Sequence, residues 1–159
     1  MAQTGFVLSD EGRTLTVLND SGTTAIEAGD IVFTGAVDDQ LTGTAISARN
    51  SYAAGDVKVK SMTDSASGYL TVLGVAVEDI PADGYGAIAM EGVFIHPVKE
   101  NIEAGACLQG NEGATNQLMT LDAYTVTTSM PATVIRAKIG IAMTGGSTDG
   151  KYIIWKLAL

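Results

Sequence analysis

The chain has 159 residues, of which 46% are hydrophobic and 17% are charged. That balance supports one domain with its own core and excludes an intrinsically disordered protein. The net charge is −9, and the 9 basic residues are scattered and outnumbered by 18 acidic ones. Because binding to nucleic acid or to an anionic membrane needs clustered Lys and Arg, we expect neither among the partners.

The sequence also constrains targeting and redox chemistry. The chain has one cysteine, Cys107, so it can form no disulfide within itself. Residues 1–10 lack a basic region followed by a long apolar core, and no apolar run approaches the roughly 20 residues of a membrane-spanning helix. We therefore expect a protein that is soluble where it is made.

Alternation with period two predicts strands that bury one face. In chain order, the segments with that character are 14–18 (TLTVL), 31–33 (IVF), 56–60 (DVKVK), 69–77 (YLTVLGVAV), 87–98 (AIAMEGVFIHPV), 139–143 (IGIAM) and 152–159 (YIIWKLAL). The lysines of 56–60 favour a sheet edge, and Gly92 predicts a bulge or bend within 87–98. We expect Trp155 on the buried face of the last strand.

Helical periodicity is scarce, so the sequence predicts an all-β protein, a compact antiparallel β-barrel or sandwich. Residues 1–22 are polar and are predicted to be an N-terminal arm ahead of a single β-domain at 23–159. A second polar stretch, at about 40–68, is predicted to be a long loop excursion from that domain.

Similar turns recur along the chain. Residues 26–31 (IEAGDI), 53–57 (AAGDV) and 102–107 (IEAGAC) share an Ala-Gly step that leads into a strand, and 80–84 (IPADG) is a looser relative. The glycine of this step supplies a positive φ. Because the spacing is irregular, the pattern indicates reused turn chemistry rather than a solenoid repeat.

Residues 145–151 (GGSTDGK) fit the first seven places of a phosphate-binding loop, G-x-x-x-x-G-K. Such a loop needs a Ser or Thr after the Lys, and a helix whose N-terminus faces the phosphate. Here Tyr152 takes the place of the Ser or Thr, and a predicted strand follows. We therefore predict a hairpin turn.

His96 and Cys107 are further candidates for chemistry. His96, the only histidine, could act as a general base, but no G-x-S-x-G elbow accompanies it, and we interpret it as a packed or hydrogen-bonded residue. Cys107 has no basic neighbour in the sequence that would favour a thiolate, so we interpret it as a small buried hydrophobe. No catalytic residue, cofactor or metal site is predicted, and we do not expect an enzyme.

Carboxylates cluster at Asp38-Asp39 and at Glu78, Asp79 and Asp83. Neither stretch has the EF-hand spacing, so solvated acidic loops are the preferred interpretation. A carboxylate pair for glycoside hydrolysis stays open. Such sites usually come with aromatic platforms, and the chain has one Trp and 3 Phe.

An ordered series of small-residue segments resembles the capsid decoration, or cement, proteins of tailed phages. The segments are 28–32 (AGDIV), 73–76 (LGVA), 80–94 (IPADGYGAIAMEGVF), 102–105 (IEAG), 139–142 (IGIA) and the apolar last strand. The resemblance runs from about residue 23 to residue 159. Residues 1–22 have no match, and the stretch at 40–68 is longer than the family pattern.

The resemblance implies a compact β-domain that is made in the host cytoplasm and sits on the outer surface of a phage capsid. It also implies homotrimers at local threefold positions that brace the major capsid protein and contact neighbouring decoration subunits. Within the predicted arm, Phe6, Val7 and Leu8 are the residues expected to dock on a neighbour. The alternative is that they form a first strand of the core.

Two other classes of function stay open. A small β-barrel that binds a surface, for example carbohydrate, would need exposed aromatic side chains in a groove. An enzyme would need His96 or a carboxylate pair in a concave, water-poor pocket.

Overall fold

In the computed structural model, the described residues are 6–10, 13–34, 57–64, 72–111, 116–121 and 138–158. They form eleven strands and one 3-10 turn at Met62–Asp64. The strands are β1 (Phe6–Asp10), β2 (Thr14–Asn19), β3 (Ile31–Thr34), β4 (Lys58–Ser61), β5 (Val72–Ala76), β6 (Tyr85–Ala89), β7 (Glu91–Pro97), β8 (Cys107–Gly110), β9 (Leu118–Thr120), β10 (Gly140–Ala142) and β11 (Tyr152–Ala158). The all-β prediction is confirmed.

Five consecutive strands, β2 to β6, close into a barrel in the order β2-β4-β3-β5-β6. Neighbouring strands are antiparallel except β2 and β4, which run parallel. Side chains alternate along each strand, so one set fills the interior and the other faces outwards. The interior is filled by fully buried apolar residues: Val17, Ile26, Val32, Val59, Ala76, Ile80 and Ile88.

The strand predicted at 56–60 is β4, and its expected place at a sheet edge is wrong. β4 lies between β2 and β3 and is paired on both sides. Val59 is fully buried in the barrel, while Lys58 and Lys60 are half-buried. Lysines on one face of a strand suit the outside of a closed barrel as well as an edge, so the pattern alone does not distinguish the two.

The remaining six strands form one antiparallel sheet in the order β1-β7-β11-β10-β8-β9. Its longest pairing joins β7 to β11, from Glu91 opposite Ala158 to Pro97 opposite Tyr152. Trp155 in β11 is fully buried, which confirms the prediction for that side chain. Within the described part of the chain, β1 and β9 are the edge strands.

The segment predicted as one strand at 87–98 is two strands. β6 ends at Ala89 in the barrel, and β7 begins at Glu91 in the sheet. The backbone amide of Met90, between them, donates to the carbonyl of Arg13, so the barrel ladder continues to that residue. Gly92 then has a φ of 147°, which L side chains rarely adopt. The predicted bend is therefore the crossing from barrel to sheet.

Two strands lie within the segment 1–22, which we expected to be an arm. β1 pairs with β7 at the edge of the sheet, and β2 is a barrel strand whose Val17 lies in the interior. Of the excursion expected at 40–68, the structure describes residues 57–64, which hold β4 and the 3-10 turn. The rest of that stretch lies outside the described residues, as does the turn glycine Gly55.

The sheet repeats the pairing of the barrel. In chain order, β7 to β11 correspond one by one to β2 to β6. Each of the sheet pairings β7–β11, β11–β10, β10–β8 and β8–β9 therefore has an equivalent in the barrel, namely β2–β6, β6–β5, β5–β3 and β3–β4. The parallel contact that closes the barrel between β2 and β4 has its counterpart in a parallel bridge between Val98 and Leu118. β7 to β11 are thus a second copy of the barrel's topology, with β1 added at one edge.

The turns before β3 and β8 have matching backbone hydrogen bonds. The pairs are Ile26 with Ile80 and Gly29 N–H to Ala76 O in the barrel, and Ile102 with Gly146 and Gly105 N–H to Ala142 O in the sheet. Gly29 and Gly105 have φ values of 89° and 88°, which confirms the predicted positive φ. The recurrence at 26–31 and 102–107 therefore belongs to the repeat of topology between β2–β6 and β7–β11, which the interpretation as reused turn chemistry did not include.

At one pair of equivalent positions, the large residue and the small residue are interchanged between the two halves. In the barrel, a Cβ on Gly86 would lie 2.5 Å from Cγ1 of Ile80. At the equivalent positions in the sheet, a Cβ on Gly146 would lie 2.7 Å from Cγ2 of Ile153. Each half therefore places one isoleucine against one glycine. The isoleucine lies in the connection before β6 in the barrel but in the strand β11 itself in the sheet.

The barrel packs on the sheet through side chains that face away from its own interior. Ile31, Phe33 and Val75 alternate with interior residues and belong to a second apolar cluster, which includes Phe94 and Trp155 of the sheet. The two halves therefore share one core in addition to the barrel interior.

Candidate functional site

A chain of buried polar contacts lies where the barrel meets the sheet. Nε2 of His96, in β7, lies 2.7 Å from the carbonyl oxygen of Gly29 in the barrel turn. Nε1–H of Trp155, in β11, donates to Nδ1 of His96 at 2.9 Å. Because an indole N–H can only donate and a carbonyl oxygen can only accept, the two bonds fix a neutral imidazole that carries its hydrogen on Nε2.

Complete burial lowers the pKa of His96 from 6.5 to about 4, because a buried imidazolium would lose its hydration. The hydrogen bond to the Gly29 carbonyl raises the pKa, but by less. Protonation of Nδ1 would in addition set one N–H against the indole N–H of Trp155. His96 is therefore neutral near pH 7.

Asn116, which lies just before β9, ties the same barrel turn to the sheet. Its Oδ1 accepts from the backbone N–H of Ile31 at 2.8 Å, and its Nδ2 donates to Oδ1 of Asp30 at 3.1 Å and to the Gly29 carbonyl at 3.3 Å. The other carboxylate oxygen of Asp30 accepts from the Ser61 hydroxyl at 3.0 Å. Among the described residues, every buried side-chain nitrogen and oxygen has a partner.

This polar cluster fixes the orientation of the barrel turn on the sheet. Both nitrogens of His96 are engaged in it, so the interpretation of His96 as a packed, hydrogen-bonded residue is confirmed. The position that His96 occupies in β7 corresponds to Val17 in β2, because Val17 lies opposite Gly86 and His96 lies opposite Ile153. Sequence reasoning missed Asn116 and Asp30, since the contacts of Asn116 with Ile31 and with Asp30 span 85 and 86 residues.

The glycine-rich segment 145–151 connects the antiparallel strands β10 and β11, so the predicted hairpin is confirmed. Asp149 in this hairpin accepts from Nζ of Lys99 at 2.7 Å and from Nε2 of Gln117 at 2.9 Å. These two hydrogen bonds lower the pKa of Asp149. The hairpin is therefore anchored to the residues around β9 through its carboxylate.

The predicted acidic loop at 78–83 lies on the barrel. Oδ1 of Asp79 accepts from the Ala28 backbone N–H at 2.8 Å, and Oε1 of Glu78 accepts from the Ala87 N–H at 2.8 Å. Asp83 has a φ of 55° and takes the turn position that Gly150 takes in the sheet. Asp38 and Asp39 lie outside the described residues. In the part of the chain that the structure describes, no group of three or more His, Cys, Asp or Glu is placed to hold a metal ion, and no helix has the length and hydropathy to cross a membrane.

The structure separates the remaining candidates from the polar cluster. Cys107 begins β8 and is half-buried, opposite Ile141 of β10, so the expectation of a buried side chain is met only in part. Phe6, Val7 and Leu8 lie in β1, where the register with β7 shifts between Val7 and Ser9. Their role in docking stays a prediction.

Comparison with known proteins identifies a structural similarity but no family. No family model and no curated protein sequence matches this chain. Among solved structures, the chain is similar to the N base of the head fiber protein gp8.5 of bacteriophage phi29, with 13% sequence identity and a TM-score of 0.49. The alignment covers 92% of this chain and 93% of that one.

Proposed function

We propose that this chain is a structural protein of a tailed-phage virion, which binds the outside of the capsid and stabilises the shell as a head decoration protein. Its partners are the major capsid protein, neighbouring decoration subunits and two further copies of itself in a homotrimer. The proposal depends on the resemblance of the ordered segments in the sequence, and on where those segments lie in the fold.

The supporting observation is that these segments coincide with the closest contacts between strands. A Cβ on Gly74 would overlap the carbonyl oxygen of Ala89, and one on Gly140 would overlap that of Lys156. A Cβ on Gly86 would lie 2.5 Å from Cγ1 of the Ile80 side chain. The resemblance therefore concerns residues on which this fold depends, and not turns that any β-protein could share.

β1 supports the proposed mode of attachment. It is an edge strand of the sheet within the described residues, and it has no counterpart in the barrel. An edge strand offers unpaired backbone groups to a neighbouring chain, which can add a strand to the sheet. Many copies that each make such a contact would hold a shell together through their summed strength.

A carbohydrate-binding module is the weaker candidate. The single Trp of the chain, the strongest aromatic platform available, is fully buried and bonded to His96. Tyr85 and Tyr152 are exposed, but on different halves of the fold.

Co-sedimentation tests the proposal. The purified chain is mixed with capsids that lack it, from the phage whose genome encodes it, and the pelleted amount is measured against its concentration. We expect saturable binding with a fixed ratio of chain to capsid protein, and a higher melting temperature of the loaded capsids. Absence of binding to expanded capsids would overturn the proposal.

A matched pair of variants then tests the role of β1. Removal of residues 1–10 deletes β1 and leaves β2 intact, so the chain should fold and fail to pellet with capsids. Substitution of the exposed Thr23 by Asp in a barrel loop is the control and should leave binding unchanged. Wild-type binding by the shortened chain would show that β1 is not the attachment strand.

A further inference from the structure

One turn of the barrel makes the polar contact with the sheet. We call residues 27–30 the junction turn. Within the barrel, it is held by the hydrogen bond from the Gly29 N–H to the Ala76 carbonyl. Towards the sheet, the Gly29 carbonyl accepts from His96 and from Asn116. The turn therefore belongs to the barrel by its backbone bonding and meets the sheet through side chains of the sheet.

The sheet has an equivalent turn at residues 103–106. Its hydrogen bond from the Gly105 N–H to the Ala142 carbonyl corresponds to the backbone bond of the junction turn. The histidine has no such equivalent, because Val17 holds the position in β2 that His96 holds in β7. The two halves thus share the turn, while the titratable side chain is specific to the junction.

His96 connects the junction turn to the interior of the sheet. Its Nε2 lies 2.7 Å from the Gly29 carbonyl oxygen, and its Nδ1 accepts from the Trp155 indole at 2.9 Å. A proton on Nδ1 would remove the acceptor of the indole, and the ring is fully buried, so the imidazolium would have no water. Movement of the junction turn away from β7 would open the ring to water and let it take that proton.

Asp30 is the charged side chain that the barrel places beside this contact. Its carboxylate accepts from Asn116 and from the backbone N–H of Glu27, both at 3.1 Å. Glu27 and Asp79 are exposed, so water screens their charge. Because carboxylates also titrate in acid, the response of Asp30 has to be distinguished from that of His96.

The described side chains that the sheet places against His96 carry no charge. They are Phe94 in β7, and Ile153 and Trp155 in β11. Tyr152 and Lys156 alternate with the two β11 residues and face the other side of the strand. Within the described contact, a change of charge in acid therefore involves His96 or Asp30.

We propose that His96 makes the contact between barrel and sheet depend on pH: it holds the junction turn on β7 at neutral pH and releases the turn in acid, while both halves stay folded. The barrel can stay folded because its interior is filled by barrel residues. The low pKa of the buried ring, about 4 against the ordinary 6.5, agrees with the geometry. This inference does not depend on a capsid, so it can fail or succeed separately from the proposed function.

Hydrogen exchange of the full chain, followed by NMR at pH 7.5 and pH 5, tests the proposal. The Ile31 N–H donates to Asn116 across the junction, and the indole N–H of Trp155 donates to His96, so both report release of the turn. After correction for the intrinsic exchange rate, the opening constant at both groups should rise by up to about 30-fold at the lower pH. The reason is that the released ring takes a proton at its ordinary pKa of about 6.5.

Low urea concentrations separate release of the turn from unfolding of the whole chain. Unfolding exposes far more surface than release of one turn, so urea accelerates it more strongly. At pH 5, exchange at Ile31 should be nearly independent of urea below the unfolding transition. The Ile139 N–H, which donates to Leu108 within the sheet, should be better protected and should respond to urea. An equal urea dependence at Ile31 and Ile139 would mean that the turn leaves only when the chain unfolds, and would overturn the proposal.

His96→Gln separates the histidine from Asp30. Glutamine offers one donor and one acceptor but takes no proton, so the opening constant at Ile31 should be nearly equal at the two pH values. A rise that persists in this variant would assign the acid response to Asp30 and contradict the proposal. The wild type decides the question even where the variant fails to fold, since equal opening constants at pH 7.5 and pH 5 would overturn the role of His96.

Discussion

The imidazole of His96 is held between one donor and one acceptor, and this arrangement determines how the protein responds to acid. Trp155 donates to Nδ1, and Gly29 accepts from Nε2. Only the neutral ring satisfies both partners. In the unfolded chain the ring is free to take a proton near its ordinary pKa of 6.5. Folding therefore excludes a proton that the unfolded chain would bind.

We expect the free energy of unfolding to fall as the pH is lowered from about 6.5 to about 4, by up to about 3 kcal/mol from this residue. The folded pKa lies below the unfolded one, so the contribution is complete above the unfolded pKa and is lost as the pH approaches the folded value. Urea titrations across this range measure it. His96→Gln keeps one donor and one acceptor without the titration, so its pH dependence should be shallower. Equal slopes for the two proteins would contradict this account.

Glycines at close contacts and glycines in turns should respond differently to substitution. A Cβ at Gly140 would lie 2.8 Å from Cε3 of Trp155 and overlap the Lys156 carbonyl, so Gly140→Ala should cost about 3 kcal/mol through overpacking. Gly22 has a φ of 71°, and a Cβ there would meet no atom within 4 Å. Gly22→Ala should cost only about 1 kcal/mol, from backbone strain alone. Chemical denaturation of the two variants gives the comparison, and a smaller loss for Gly140→Ala would disprove the packing argument.

At the scale of elements, Asn116 joins the segment before β9 to the start of β3. Its amide satisfies the Ile31 N–H and donates to both Asp30 and Gly29. These groups are buried, so loss of the side chain removes the acceptor of the Ile31 N–H and one donor each from Asp30 and Gly29.

Asn116→Ala should therefore destabilise the protein by about 2 kcal/mol. The exposed Asn101 is the matched control, and Asn101→Ala should change stability by less than about 0.5 kcal/mol. Hydrogen exchange provides a local readout, because the Ile31 amide should lose protection in the first variant and keep it in the second. If both variants have the stability of the wild type, the contact does not hold the two halves together.

Periodicity identified β2, because its side chains alternate in polarity along the chain, whereas β3 and β11 were identified as short apolar runs. It could not give the neighbours of β4, since a strand's partners are set by distant segments. β9 has three residues, too few to show a period. The polar cluster could not be predicted from the sequence for a related reason. Asn116 and Gly29 are 87 residues apart, and no local pattern links them. Only His96 was singled out, by its chemistry.

At the scale of the whole molecule, the barrel and the sheet share the apolar cluster that contains Ile31, Phe33, Phe94 and Trp155. Neither half can be removed without exposing that cluster to water, at a cost of about 25 cal/mol for each Å² of apolar surface. The halves therefore depend on each other, although each repeats the other's topology.

We expect one cooperative unfolding transition. Trp155, the single Trp, lies in the sheet and in the shared cluster, so its fluorescence reports on that region, whereas far-ultraviolet circular dichroism reports on all strands of both halves. The two signals should change at the same urea concentration. Val75→Asp would place a charge in the shared cluster and should lower both midpoints together. Separate midpoints in the wild type would mean that the barrel and the sheet unfold independently.

The interchange of isoleucine and glycine between the two halves limits how these positions can change in sequence. The barrel has Ile80 against Gly86, and the sheet has Gly146 against Ile153. Either arrangement fills the same space, yet no single substitution converts one into the other. Gly86→Ile alone would force two isoleucines together, and Ile80→Gly alone would leave a void. Any lineage that moved between the two states had to tolerate a less stable intermediate. Each half now permits changes at these positions only as a pair.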